Sequence, residues 1–67
     1  MIVNNLSKIM GIKRMKPAEL QKLTGLSKDT IYKLYYDKKR TVKLDTINRL
    51  CFALNCNTQE LFEYIPD

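Results

Sequence analysis

Histidine is absent from this 67-residue sequence, and cysteine, glycine and proline each occur only twice. Without histidine, the most frequent metal ligand and the most frequent general base of enzymes are missing. Cys51 and Cys56 lie five positions apart, which suits neither a CxxC redox pair nor a zinc knuckle. We interpret both as buried thiols and predict no metal and no cofactor.

Other absences narrow the functional class and the cellular location of the protein further. The sequence has no glycine-rich phosphate loop and no pair of carboxylates on one predicted face, so an enzyme is not indicated. No apolar run approaches the roughly 20 residues of a membrane span, and the start, MIVNNLSKIM, is too polar for a secretory signal. We therefore predict one cytoplasmic domain over residues 1–67, with a thin core, no membrane contact and no evident small-molecule ligand.

Charge is divided unevenly along the chain. The net charge is +5, and residues 1–43 hold 11 of the 12 lysines and arginines but 3 of the 7 acids. Residues 44–67 hold one arginine against four acids. A basic end suits a polyanionic partner, and it equally suits a solvated lysine-rich surface. Charge by itself leaves both interpretations open.

Apolar spacing and helix-start signals predict five short helices and no strands. Pro17 fits a first helical position, Ser27 fits an N-cap, and Asn57 with Glu60 forms a capping-box pattern. Asn4 or Asn5 can cap the first helix. The predicted helices run from about Val3 to Lys13, over 17–24, from Lys28 to about Asp37, from about Leu44 to Asn55, and from Asn57 to a stop at Pro66. The side chains predicted to face the core include Val3, Leu6, Ile9, Met10, Leu20, Leu23, Ile31, Leu34, Leu44, Ile47, Leu50, Cys51, Leu54, Leu61 and Phe62.

The second and third helices are separated only by the short stretch GLS. Gly25 supplies the positive φ that ends many helices, and Leu26 can fill the corner between the two. Two helices joined this closely cross each other, which predicts a helix-turn-helix. The second helix of the pair then carries a polar side away from the core, and a DNA major groove admits one such helix.

The motif KPAELQKLTGLSKDTIYKL, followed by TINRLCFALNCN and TQELF, resembles the Cro/phage-repressor (Xre-type) helix-turn-helix regulators from about Leu6 to Ile65. The resemblance implies an all-α bundle of five short helices that binds double-stranded DNA. It further implies a transcriptional repressor, encoded by a phage, a mobile element or a chromosome, that occludes a promoter as a homodimer on an inverted-repeat operator. Four positions depart from the family: Pro17 replaces a polar phosphate-contacting residue, Gln21 replaces a small alanine, and Met10 with Tyr35 replaces an ion pair.

The resemblance also implies roles for individual residues. Base-edge contacts fall on Lys28, Asp29, Tyr32 and Lys33. Contacts to the DNA backbone fall on Lys16, Ser27, Thr30, Tyr36, Lys38, Lys39, Arg40 and Lys43. Dimer contacts are assigned to Phe52, Tyr64 and Ile65, apolar residues left over once the core is assigned.

Alternatives remain for several of these residues. Asp29 can be only a helix-start residue, since phosphates repel a carboxylate. Tyr36 can be a partly exposed ring, and we interpret Tyr35 as a core residue. The three dimer candidates, listed above, can instead close the core of a monomer. The main rival function is a protein-interaction module, such as an antirepressor or antitoxin, while RNA binding is disfavoured because the RNA major groove is too narrow for a helix.

Overall fold

The computed structural model describes residues 1–38 and 41–67. Lys39 and Arg40, two predicted backbone contacts, lie outside the described residues. The elements in chain order are β1 (Ile2–Asn4), α1 (Leu6–Ile12), α2 (Pro17–Thr24), α3 (Lys28–Tyr35), α4 (Leu44–Leu54), α5 (Thr58–Leu61) and β2 (Phe62–Tyr64). Within the described ranges, no helix has the length and apolar character that crossing a membrane requires.

The five predicted helices are confirmed, but the prediction that the chain has no strands is wrong. β1 and β2 pair antiparallel, with Ile2 opposite Tyr64 and Asn4 opposite Phe62. The backbone N–H of Ile65 also donates to the carbonyl of Met1 at 2.8 Å. Each strand has three residues, which is too short for an alternating pattern to be recognised.

Three helix bounds differ from the prediction, each for a local reason. α1 begins at Leu6 rather than Val3, because the Asn4 side chain accepts from the Leu6 N–H at 2.9 Å and the residues before it are extended. α3 ends at Tyr35 rather than Asp37, because Asp37 has a φ of 56°, which is incompatible with a right-handed helix. α5 ends at Leu61 because the chain becomes β2 there, well before Pro66.

The core lies where all five helices meet. Its fully buried apolar side chains are Leu6, Met10, Leu20, Ile31, Leu34, Leu50, Leu54 and Leu61. Tyr35 packs half-buried against this core and Met10 is inside it, so apolar packing occupies the two positions where the family has an ion pair. Neutral groups at both positions leave no buried charge without a partner.

Two predicted core residues are wrong. Leu23 is 57% exposed and Leu44 is 84% exposed. α2 instead buries Leu20 and Thr24, and the Thr24 hydroxyl is satisfied by donating to the Leu20 carbonyl at 2.7 Å. Leu44 is the first residue of α4, whose buried line begins at Thr46, so its side chain extends into solvent.

Replacing Gly25 by valine should lower the free energy of unfolding by more than about 1 kcal/mol, because a side chain at positive φ clashes with its own backbone. Gly25 has a φ of 72°, and an added Cβ would also come within 3.4 Å of the Arg49 guanidinium. Thermal melting should show a decrease of at least about 4 °C for a domain of this size.

Gly11 is the matched control, because it is helical and has no neighbouring atom within 4 Å of an added Cβ. Gly11→Ala should raise the melting temperature, since alanine favours a helix by up to about 1 kcal/mol. If the valine variant melted like the parent, the turn would not depend on left-handed backbone at Gly25.

Candidate nucleic-acid interface

The turn between α2 and α3 is built from three consecutive local preferences. Gly25 ends α2 in the left-handed conformation and donates its N–H to the Gln21 carbonyl at 2.9 Å. The Leu26 N–H donates to the Thr24 hydroxyl at 3.2 Å. Ser27 is extended and its hydroxyl oxygen accepts from the Thr30 N–H at 3.1 Å, so α3 begins at Lys28 as predicted.

α3 has one buried side and one exposed side. Ile31 and Leu34 are fully buried and fix the helix on the core. The exposed side, which we call the α3 outer face, consists of Lys28, Asp29, Tyr32, Lys33 and Tyr36. The structure therefore places all four predicted base-contact residues, together with one predicted backbone contact, on a single solvent-facing surface.

Side chains on the α3 outer face contact one another. Lys33 Nζ lies 3.1 Å from Asp29 Oδ2, and Lys28 Nζ lies 5.5 Å from the centroid of the Tyr32 ring. The Tyr32 and Tyr36 rings stack with centroids 6.2 Å apart. An exposed ion pair contributes at most about 1 kcal/mol, so Lys33 can exchange Asp29 for another acceptor at little cost.

Predicted backbone contacts within the described residues lie on several elements. Ser27 and Thr30 lie in the first turn of α3, and their hydroxyl oxygens are 2.9 Å apart. Lys16 and Lys43 are exposed and occupy the N-cap positions of α2 and α4, and neither side chain bonds to its helix start. Two helix N-termini, each with an adjacent lysine, can attract anions through their first-turn N–H groups. Lys38 is also exposed.

The arrangement of α2, the turn and α3 has counterparts among known proteins. The model of the Cro/C1-type HTH DNA-binding domain matches residues 5–67. The chain belongs to this family. It is also similar to YozG of Bacillus subtilis (strain 168), described as an uncharacterized HTH-type transcriptional regulator, with 26% identity over 66 residues, or 98% of this chain and 79% of YozG. The predicted family and helix-turn-helix are confirmed.

The dimer candidates of this Cro/C1-type domain are all exposed. Phe52 is 85% exposed on α4, Tyr64 is 67% exposed on β2, and Ile65 follows it. The alternative that these residues close the core of a monomer is therefore wrong. Leu44 lies two helical turns before Phe52, so α4 presents two large apolar side chains to solvent on one side.

Arg49 is a residue that the sequence reasoning missed. From α4, its guanidinium donates to the Thr24 carbonyl at 3.1 Å and to Asp45 Oδ2 at 3.0 Å. The first bond satisfies a carbonyl at the end of α2 and ties α4 to the turn. The four-residue spacing from Asp45 signals the ion pair, but no sequence signal points to a backbone carbonyl 25 residues away.

Asn4 fixes the other end of α3. Its side-chain amide donates to the Leu34 carbonyl at 2.7 Å, while its side-chain oxygen accepts from the Leu6 N–H. Asn5 is the N-cap residue of α1 but makes no side-chain cap bond, so of the two predicted capping residues only Asn4, one position earlier, accepts from an N–H at the helix start. One side chain thus joins the start of α1 to the last turn of α3, so the α3 outer face is held from both ends.

The two cysteines lie away from the α3 outer face, on and just after α4. Cys51 and Cys56 are free thiols, and both are half-buried rather than fully buried as predicted. Burial, and to a lesser extent the neighbouring Cys51 thiol, raise the pKa of Cys56 above its ordinary value. The raised pKa lowers the thiolate fraction at neutral pH, so Cys56 should be a poor nucleophile.

Arg49→Met should weaken the domain while keeping most of the apolar stem of the side chain. We expect a loss of about 1 kcal/mol in the free energy of unfolding, since a charge-assisted bond to the partly exposed Thr24 carbonyl disappears. Urea denaturation measures the loss. Lys8→Met, at an exposed position of α1, is the control and should change stability by less than about 0.5 kcal/mol. Equal effects of the two substitutions would contradict a stabilising role for Arg49.

Proposed function

We propose that this chain is a sequence-specific repressor of transcription that binds an operator in double-stranded DNA. The observation that carries the proposal is the α3 outer face, where polar and charged side chains stand on a helix anchored by buried Ile31 and Leu34. A helix presented in this way can enter the major groove, where such side chains meet base edges. In this proposal the chain acts in the cytoplasm by occluding a promoter.

Each residue of the α3 outer face has a chemical role in this proposal. Lys28 and Lys33 donate to guanine O6 and N7, Asp29 accepts from the amino group of cytosine, and Tyr32 lies beside them. Tyr36 contacts the DNA backbone, together with the backbone contacts Lys16, Ser27, Thr30, Lys38, Lys39, Arg40 and Lys43. Backbone contacts fix the register and supply the salt-dependent part of the affinity.

A homodimer on an inverted repeat completes the proposal. Phe52, Tyr64 and Ile65 are large, apolar and solvent-facing, which suits the core of a protein interface better than the surface of a monomer. A two-fold dimer would place two copies of α3 about one helical turn of DNA apart, so the operator would consist of two half-sites.

Lys33→Ala should reduce affinity for the preferred operator by about 1–3 kcal/mol and affinity for scrambled DNA much less. The variant also exposes the Asp29 charge that Lys33 now neutralises. The double variant Asp29→Asn, Lys33→Ala separates these effects, because it removes the contact without the unpaired carboxylate. Titration of each protein against both duplexes at one salt concentration is the measurement.

Lys43→Ala is the comparison for a backbone contact. This substitution should weaken binding to both duplexes alike, and it should lower the slope of log K against log salt by about one. Equal losses from Lys33→Ala on operator and scrambled DNA would make Lys33 a backbone contact too. No loss on either duplex would favour a protein-interaction module instead.

Phe52→Ser should shift the chain from dimer towards monomer, because it removes a large apolar side chain from the proposed interface. Sedimentation equilibrium with and without operator measures the shift. Leu23→Ser is the control, since Leu23 is an exposed apolar residue outside the proposed interface. A Phe52 variant that associates like the parent would exclude this side of α4 from the dimer.

A further inference from the structure

A notch lies between the first turn of α2 and the α3 outer face. Its volume is about 190 Å³, and it opens to solvent. Its lining residues are Pro17, Ala18, Gln21, Lys28, Ile31 and Tyr32. Two of these, Lys28 and Tyr32, are proposed base contacts, so the notch adjoins the surface that we assign to the major groove.

The walls of the notch are mainly apolar. Pro17 is the first residue of α2 and has no N–H to offer, while Ala18 and Ile31 contribute only hydrocarbon side chains. The Tyr32 ring forms another wall, and it contacts both Lys28 Nζ, 5.5 Å from its centroid, and the stacked Tyr36 ring. The notch is therefore a mainly apolar recess that is also lined by two polar side chains, those of Gln21 and Lys28.

Most groups at base edges in the major groove are hydrogen-bond donors or acceptors, and the exception is the 5-methyl group of thymine. We propose that the notch is the subsite for a pyrimidine 5-methyl group, supplied by thymine or by 5-methylcytosine, next to the base that Lys28 contacts. This inference rests on the proposed function. It gives Pro17 and Ala18 a role in specificity, whereas the proposed function assigns them none. It also gives Tyr32 a defined partner on the DNA.

The notch is large enough to admit this occupant. A water molecule takes up roughly 30 Å³ in the liquid, a methyl group is similar in size, and the notch exceeds this several-fold. Removing one methyl group from water is favourable enough to change an equilibrium constant about three- to fivefold. Replacing the thymine by uracil, which has the same hydrogen-bonding groups without the methyl, should weaken binding by that factor.

The test uses the full chain and the operator obtained by selection from random duplexes. Each thymine is replaced by uracil in turn, and each cytosine by 5-methylcytosine, with affinity measured at one salt concentration. Tyr32→Ala removes a wall of the notch. Tyr36→Ala is the matched control, because it removes the same kind of ring one turn later and outside the notch.

In the parent we expect at least one position per half-site where loss of the methyl group weakens binding about three- to fivefold. Tyr32→Ala should abolish that difference, and Tyr36→Ala should retain it even if overall affinity falls. A thymine effect identifies thymine as the occupant, and a gain on methylation of a cytosine identifies 5-methylcytosine.

Two results would overturn the inference while leaving the proposed function intact: a selected operator insensitive to every methyl change, or a methyl effect unchanged in Tyr32→Ala. A chain that selects no duplex at all would overturn the proposed function and the inference with it.

Discussion

The left-handed backbone at Gly25 is the constraint on which the other features of this domain depend. α2 ends there, and only two residues separate Gly25 from the start of α3, so α3 crosses α2 rather than extending it. Both helices can then cover the same core with Leu20 and Ile31. The crossing also leaves the α3 outer face exposed to solvent, and this is the surface that we propose meets DNA.

A turn of a few residues does not by itself fix the orientation of α3, a helix of eight residues. Contacts from distant parts of the chain supply the remaining rigidity: Arg49 bonds to the last carbonyl of α2, and Asn4 bonds to the Leu34 carbonyl near the end of α3. β1 and β2 hold the segment that carries Asn4 in place. Phe62 of β2 packs against the core, and the Asn4 side chain of β1 bonds directly to α3, so the strands help to hold that helix.

Local chemistry made much of the fold predictable. The starts of α2, α3 and α5 follow from Pro17, Ser27 and the Asn57 capping box, whose partners lie within three residues along the chain. Left-handed Asn55 at the end of α4 is predictable for the same reason.

Features that depend on contacts between distant parts of the chain could not be predicted from the sequence. β1 and β2 become strands only because residues about 60 positions apart pair with each other, and neither has enough length to show a pattern alone. Leu23 and Leu44 sit at the edges of apolar stripes, and the sequence does not say which edge a neighbouring element will cover. The notch beside Tyr32 likewise depends on how closely α2 approaches α3.

The ion pair between Asp29 and Lys33 orders two side chains of the proposed recognition surface, yet it is weak enough to break when DNA binds. In the free protein the pair holds two charged side chains near one rotamer at little gain in stability, because both are exposed. Near DNA, phosphates repel the carboxylate and attract the ammonium, so the field of the duplex acts to separate the partners. A base edge that donates to Asp29 and another that accepts from Lys33 would replace the hydrogen bonds that the two side chains lose when they separate. A wrong sequence would leave the carboxylate facing acceptors and phosphates without a donor. Asp29, which weakens non-specific attraction, would therefore increase discrimination, since selectivity depends on what a wrong site loses as well as on what the right site gains.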